Sequence, residues 1–188
     1  MTDILKKLIE ISVMNLEKRQ PNLLKNTEMT TMTEWNLGHH YANELGNYIF
    51  WLSNDIDVVK RNYENRRPDI IFHKRQINCL NLLVVEIKIQ NSLSYDDILK
   101  IKKDWMKSPL NYNYGACISF SRNGDHIGQL FTNKDIIDLD FRNQDCSVSD
   151  FDNELKDEII EIVKTIKHEH DEVETLMKKI SDYFKKIV

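Results

Sequence analysis

Apolar residues in the first twenty positions recur every three to four residues: Ile4, Leu8 and Ile11, flanked by Leu5 and Ile9. That spacing predicts a helix over roughly residues 3–18, ending before Pro21. Residues 20–33 are polar and threonine-rich and read as a connector. A second helix is expected to start at Thr31 or Thr33 and to run to about Leu52, with Leu37, Tyr41, Leu45, Tyr48 and Leu52 along one stripe. Three segments rich in β-branched and aromatic residues follow, at 56–64, 69–74 and 81–89, separated by polar stretches, and they predict strands. Ser94 and Asp97 have the spacing of a capping box, opening a helix over 95–107 that Pro109 cannot continue. Residues 114–120 predict another strand. Asn123-Gly124 is a type I′ turn signal that would join it to 127–131 as a hairpin.

Beyond Asn153 neither Pro nor Gly interrupts a helical pattern. Ile159, Ile166, Val173, Ile180 and Ile187 recur at seven-residue intervals, with Leu155, Ile162 and Leu176 at companion positions. Glu169, inside the run HEHDE at 168–172, breaks that seam. The pattern fits either a long coiled-coil helix or two helices packed on the domain. The chain thus divides into an N-terminal helix and connector (1–30), an α/β core (31–150) and a C-terminal helix or helical hairpin (151–188).

Composition narrows the class. With 188 residues, 41% hydrophobic and 30% charged, the chain can form a globular domain with a substantial core. A net charge of −4 leaves no global basic field, so any polyanion must be bound locally. Cys79, Cys117 and Cys146 lack CxxC spacing and are odd in number, which argues against a disulfide framework or a cysteine-rich zinc site. The N-terminus mixes acidic and basic residues without a long apolar run, so no signal peptide or membrane span is expected, and a cytoplasmic location is.

The chemistry concentrates in LLVVEIKI. Leu82, Val84, Glu86 and Lys88 share one face of that strand and Leu83, Val85, Ile87 and Ile89 the other, so both faces are apolar apart from one acid and one base. Charges in such a strand are costly unless paired or holding a metal. Asp69 begins the preceding strand with the parity of Ile71 and His73. Neighbouring strands lie about 5 Å apart, so Asp69 and Glu86 can meet over one cation, whose oxygen ligands suit Mg²⁺ or Mn²⁺. Glu34, with Leu37 and Tyr41, follows i, i+3, i+7 spacing and so points inward.

Pro68-Asp69 and Glu86-Ile87-Lys88, set in αβββαβ order, resemble the PD-(D/E)xK nuclease superfamily. The resemblance spans roughly residues 31–131, and EWNLGHHYANEL, RRPDIIFHKR and NLLVVEIK are similar to small bacterial and phage members. It implies a restriction-endonuclease-like α/β core with a mixed sheet, an N-terminal helix and a C-terminal helical extension. It also implies a Mg²⁺- or Mn²⁺-dependent nuclease that hydrolyses phosphodiester bonds, with DNA the expected substrate and RNA the alternative. Asp69, Glu86 and the Ile87 carbonyl would hold the metal, Lys88 would position or activate the attacking water, and Glu34 would be a fourth member. The glutamine-tyrosine motif of the RecB-like branch is missing after Lys88, where the helix reads DDILKIKKDW.

Each residue also has a plainer reading. Asp69 would serve as a turn residue, Glu86 and Lys88 as a structural ion pair, and Glu34 as the acidic partner of Thr31 in a capping box. For substrate phosphates the candidates are Arg66, Arg67, Lys74 and Arg75 around Asp69, and Lys100, Lys103 and Lys107 along one helix face. The alternative for these is solvated surface charge. His39 would border the pocket or pack structurally, His40 points about 100° away from it on the helix, and His73 is a candidate supporting residue. His168 and His170 with Asp171 and Glu172 read as a solvated bend. The expected partner is nucleic acid, with a possible homodimer through the C-terminal helix. Two rivals remain: a catalytically inactive nuclease-fold module that binds nucleic acid or protein, and a helical interaction protein on an α/β scaffold.

Overall fold

A computed structural model describes residues 1–24, 33–60, 66–142, 153–167 and 173–187. Five helices surround a six-stranded mixed sheet among them. Helix α1 spans Thr2–Arg19 and α2 spans Glu34–Tyr48. Strands β1 (Ser53–Ile56), β2 (Ile70–Lys74) and β3 (Ile77–Lys88) follow, then helix α3 (Tyr95–Lys100), which runs into a π-helical turn at Ile101–Trp105. Strands β4 (Tyr114–Ser119), β5 (Ile127–Phe131) and β6 (Ile136–Leu139) complete the sheet, and α4 (Asn153–Thr165) and α5 (Val173–Ile187) close the chain.

The strands lie in sequence order, and each adjacent pair is antiparallel except β3 and β4. That parallel pair is joined by the crossover through α3, the connection a parallel pair requires. Both faces of the sheet are covered. Leu83, Val85 and Ile87 of β3 belong to the main core with residues of α1, α2, α4 and α5. On the opposite face Ile71, Val84 and Cys117 pack with Ile101, Trp105, Met106 and Tyr112. All three sequence segments therefore contribute to the buried interior.

Several boundaries differ from expectation. The strand expected over 56–64 lies instead at Ser53–Ile56. Asp57 ends it by taking a positive φ of 53°, and its N–H donates to the Asp69 carbonyl at 2.9 Å. Residues 61–65 lie outside the described residues. Strand β3 starts at Ile77 rather than near 81, because a two-residue turn at Arg75-Gln76 pairs Lys74 with Ile77. Gln76 supplies the positive φ of 68° that such turns favour in Gly or Asn. The hairpin between β4 and β5 forms, but only Gly124 takes a positive φ (87°), whereas type I′ needs it at both central residues. Strand β6 was not expected.

Of the two readings for the C-terminus, the structure shows two helices packed on the domain. Ile159, Val163, Leu176, Ile180, Tyr183 and Phe184 are buried in the main core, so the stripe expected to form an intermolecular seam is covered by the chain itself. Lys74 reinforces this docking. Its ammonium donates to the carbonyls of Val163, Lys164 and Ile166, meeting the negative end of α4 with a cation. No helix among the described residues is long and apolar enough to cross a membrane.

Helix α3 and its π turn press closely on β4. A Cβ on Gly115 would overlap Cγ2 of Ile101 and approach Sδ of Met106 to 3.2 Å. Gly115→Ala is expected to destabilise the fold by about 1–3 kcal/mol through overpacking. The check is the midpoint of urea unfolding; an unchanged midpoint would mean that α3 is not seated on β4 as described.

Candidate active site

Strand β2 ends its ladder at Ile70, which pairs with Val85. Asp69 precedes that pair, and continuing the antiparallel register by one position sets it opposite Glu86. There the side chain takes over from the strand: Asp69 Oδ2 accepts the Ile87 N–H at 2.7 Å. A carboxylate thus occupies the place of the next carbonyl in the ladder. Because the N–H and C=O of one strand residue point to the same side, the Ile87 carbonyl faces this edge as well. Burial raises the Asp69 pKa, while the Ile87 N–H and the charges of Lys88 and Lys100 oppose the rise.

Glu86 is 1% exposed. Its Oε1 accepts from Trp105 Nε1 at 2.8 Å, and Lys100 Nζ lies 3.4 Å from Oε2. Burial, reinforced by the nearby Asp69 charge, pushes its pKa up to about 8. Trp105 is the last residue of the π turn. The Met106 N–H reaches back five residues to the Ile101 carbonyl at 2.9 Å, and the widened turn buries Trp105 and Met106 side by side.

Lys88, two residues on, is half-buried where β3 leaves the sheet. Its Nζ donates to Glu34 Oε2 at 2.8 Å and stands 3.8 Å from Asp97 Oδ2. Burial alone would lower its pKa, but the Glu34 hydrogen bond and the Asp97 charge hold it above the usual lysine value. Glu34 is the first residue of α2, capped by the Thr33 side chain rather than serving as the cap. Its other oxygen accepts the Ile89 N–H at 3.3 Å, so it spans the end of β3.

Asp97 is the member that the sequence reading treated only as a capping-box acid. Its N–H does donate to Ser94 Oγ at 3.2 Å, yet its carboxyl group turns into the cluster and the residue is 4% exposed. Oδ1 accepts from Lys100 Nζ at 3.2 Å, whereas Oδ2 is sealed from solvent without a hydrogen bond. The segment from Lys88 to Asp97 is tied down from the end of β4 and the residues after it: Ser119 Oγ donates to the Ser92 carbonyl at 2.6 Å, and Ser121 Oγ to Asn91 Oδ1 at 2.8 Å.

The structure therefore brings Glu34, Asp69, Glu86 and Lys88 together and adds Asp97, Lys100 and Trp105. Other candidates are engaged elsewhere. Arg66 pairs with Asp104, Arg67 with Asp57 at 2.8 Å and Arg75 with Asp55 at 2.6 Å, while Lys74 caps α4. Lys100 faces the carboxyl groups, whereas Lys103 within the π turn and Lys107 after it are exposed, so the three do not present a common phosphate-facing row. His73 hydrogen-bonds Asp55 at 2.8 Å, about 13 Å along β2 from Asp69. His39 stacks edge-on against Trp35 with ring centroids 4.2 Å apart, and His40 contacts Gln20. The run 168–172 lies outside the described residues.

Four carboxyl groups meet two ammonium groups here, so oxygen donors outnumber the protein's own cations. The donors are all hard oxygens, and the sealed Asp97 Oδ2 has capacity to spare, so the donor set fits Mg²⁺ or Mn²⁺. As the side chains stand, no group of three or more His, Cys, Asp or Glu among the described residues is spaced to enclose an ion. The chain matches no protein-family model, no curated protein and no solved structure. Its chemistry is accordingly argued from this geometry.

Glu86 gives the site a signature in stability. A carboxyl group whose pKa is higher folded than unfolded retains its proton preferentially in the folded chain, so folding is penalised as that proton leaves. Its contribution to stability therefore falls as pH rises from its ordinary 4.5 towards about 8. Glu86→Gln should flatten this part of the melting-temperature profile in EDTA by several degrees across the window. Parallel profiles for the two proteins would show that Glu86 ionises freely.

Proposed function

We propose that this chain is a metal-dependent nuclease that hydrolyses phosphodiester bonds of nucleic acid, with DNA the expected substrate and RNA the alternative. The observation that carries the reading is the convergence of Asp69, Glu86 and Lys88 at the adjoining ends of β2 and β3, with Glu34 reaching them from α2. The order helix, three strands, helix, strand from α2 to β4 supports it, since that is the order in which the PD-(D/E)xK resemblance places these residues.

Asp69, Glu86 and the Ile87 carbonyl are the groups that would hold Mg²⁺ or Mn²⁺. Bound there, the ion supplies polarisation of a phosphoryl oxygen and a lowered pKa for a coordinated water. The remaining work belongs to the protein. Trp105 fixes the Glu86 carboxyl group through its indole N–H, leaving Oε2 directed towards the cluster. Glu34 holds the Lys88 ammonium at the mouth of the site and keeps it protonated at neutral pH. Lys88 therefore acts as a donor and positive charge, orienting the attacking water or offsetting charge on the phosphate, rather than as a general base. Burial of Glu86 and Asp97 excludes bulk water, which strengthens each of these interactions.

The reading is tested by incubating purified protein with single- and double-stranded DNA and RNA in Mg²⁺, Mn²⁺ or EDTA. Cleavage is expected with either ion and not in EDTA. Asp69→Asn and Lys88→Ala should each lower the rate at least about a hundredfold, with circular dichroism unchanged, and Glu34→Gln by a smaller factor through loss of Lys88 positioning. Undiminished cleavage by the Asp69 or Lys88 variants would refute the assignment.

A further inference from the structure

Lys100 stands where a cation belongs. Its ammonium lies 3.4 Å from Glu86 Oε2 and 3.2 Å from Asp97 Oδ1, bridging two carboxyl groups that are almost wholly buried. It adds to Lys88, which approaches the same Asp97 from the strand side at 3.8 Å. We propose that Asp97 is the third carboxylate of the cation site, and that Lys100 is a tethered countercharge whose position a divalent ion takes over.

Three observations carry this. First, the Asp97 carboxyl group is not spent on capping its helix. The helix start is already satisfied by Ser94 Oγ accepting the Asp97 N–H, and its own Oδ2 is buried without a hydrogen bond. The only partner the structure gives that oxygen among the described residues is the Lys88 ammonium at 3.8 Å, beyond hydrogen-bond reach, so its capacity as a donor to a cation is unused. Second, the Lys100 ammonium separates Glu86 from Asp97 at contacts longer than the 2.0–2.6 Å of Mg²⁺ or Ca²⁺ to oxygen. The ammonium therefore occupies the space between the two carboxyl groups that a directly coordinated ion would need. Third, the Lys100 side chain is 42% exposed, so its four-carbon stem has a route to solvent that the Glu86 and Asp97 side chains lack.

The energetic logic follows from burial. Without a cation between them, Glu86, Asp97 and Asp69 would repel one another in a poorly solvated pocket, and a single-sided charge there is strongly destabilising. Lys100 offsets that repulsion. A divalent ion brings twice the charge to the same oxygens, and two cations within a few ångströms exclude each other. The displaced ammonium remains tethered at the rim, where a substrate phosphate is its natural counter-ion. The proposal rests on the nuclease reading for the identity of the ion and adds Asp97 and Lys100 to the groups that meet it.

Calorimetric titration of Mn²⁺ into the full chain tests it, comparing the wild type with Lys100→Met, Asp97→Asn and Asp69→Asn. Lys100→Met is expected to bind Mn²⁺ about tenfold more tightly than wild type, and Asp97→Asn about tenfold more weakly. Lys100→Met should also melt lower than wild type in EDTA and recover with Mn²⁺. Should Lys100→Met not fold, Lys100→Gln makes the same comparison with a neutral polar side chain. Wild-type or weaker affinity in the Lys100 variant, or undiminished affinity in Asp97→Asn, would overturn the proposal. If Asp69→Asn alone abolishes binding, only this inference falls. If none of the proteins binds Mn²⁺, the nuclease reading falls with it.

Discussion

The burial of one carboxyl group on a strand covered on both faces governs the rest of this structure. Glu86 sits among apolar neighbours on β3 at 1% exposure, and every surrounding element contributes something that makes this tolerable. Trp105 gives an indole hydrogen bond, Lys100 an ammonium, and Asp69 settles opposite it by accepting a backbone N–H. The π turn after α3 is part of the same arrangement, because it carries Trp105, whose indole N–H reaches the buried carboxyl group. Ion pairs elsewhere among the described residues, such as Arg67 with Asp57, lie nearer the surface.

Much of the centre was legible because strand and helix periodicities are short-range properties. Alternation along LLVVEIKI gave Glu86 and Lys88 a common face, parity in β2 assigned Asp69 to the same side, and i, i+3, i+7 spacing turned Glu34 inward. The mixed α/β architecture and its helices and strands followed from the same periods. Asp97 was hidden for a definite reason: three residues after a serine at a helix start, an acid has a sufficient local explanation, and its actual orientation depends on lysines at positions 88 and 100. Lys74 was harder still, since its partners lie about ninety residues away at the end of α4. The displaced β1 and the 75–76 turn escaped because Asp57 and Gln76 adopt positive φ, which neither residue type advertises.

The C-terminal helices show the limit of periodic pattern as a guide to assembly. A seven-residue repeat serves equally well to zip two chains or to lay a helix onto its own domain. Here Ile159, Leu176 and Ile180 contribute to the core that also receives α1 and α2, and Lys74 anchors α4 by its carbonyl end. The extension is thus a covering layer for the sheet face opposite the buried glutamate.

Ser119 and Ser121 give the site an unexpected governor. Neither serine takes part in the acidic cluster, yet through Ser92 and Asn91 they fasten the loop along which the chain travels from Lys88 to α3. The gap between the strand-borne lysine and the helix-borne aspartate is therefore gauged by β4, a strand without a charged residue of its own. Drift in that neutral strand would retune the spacing of the charged groups while leaving every one of them in place.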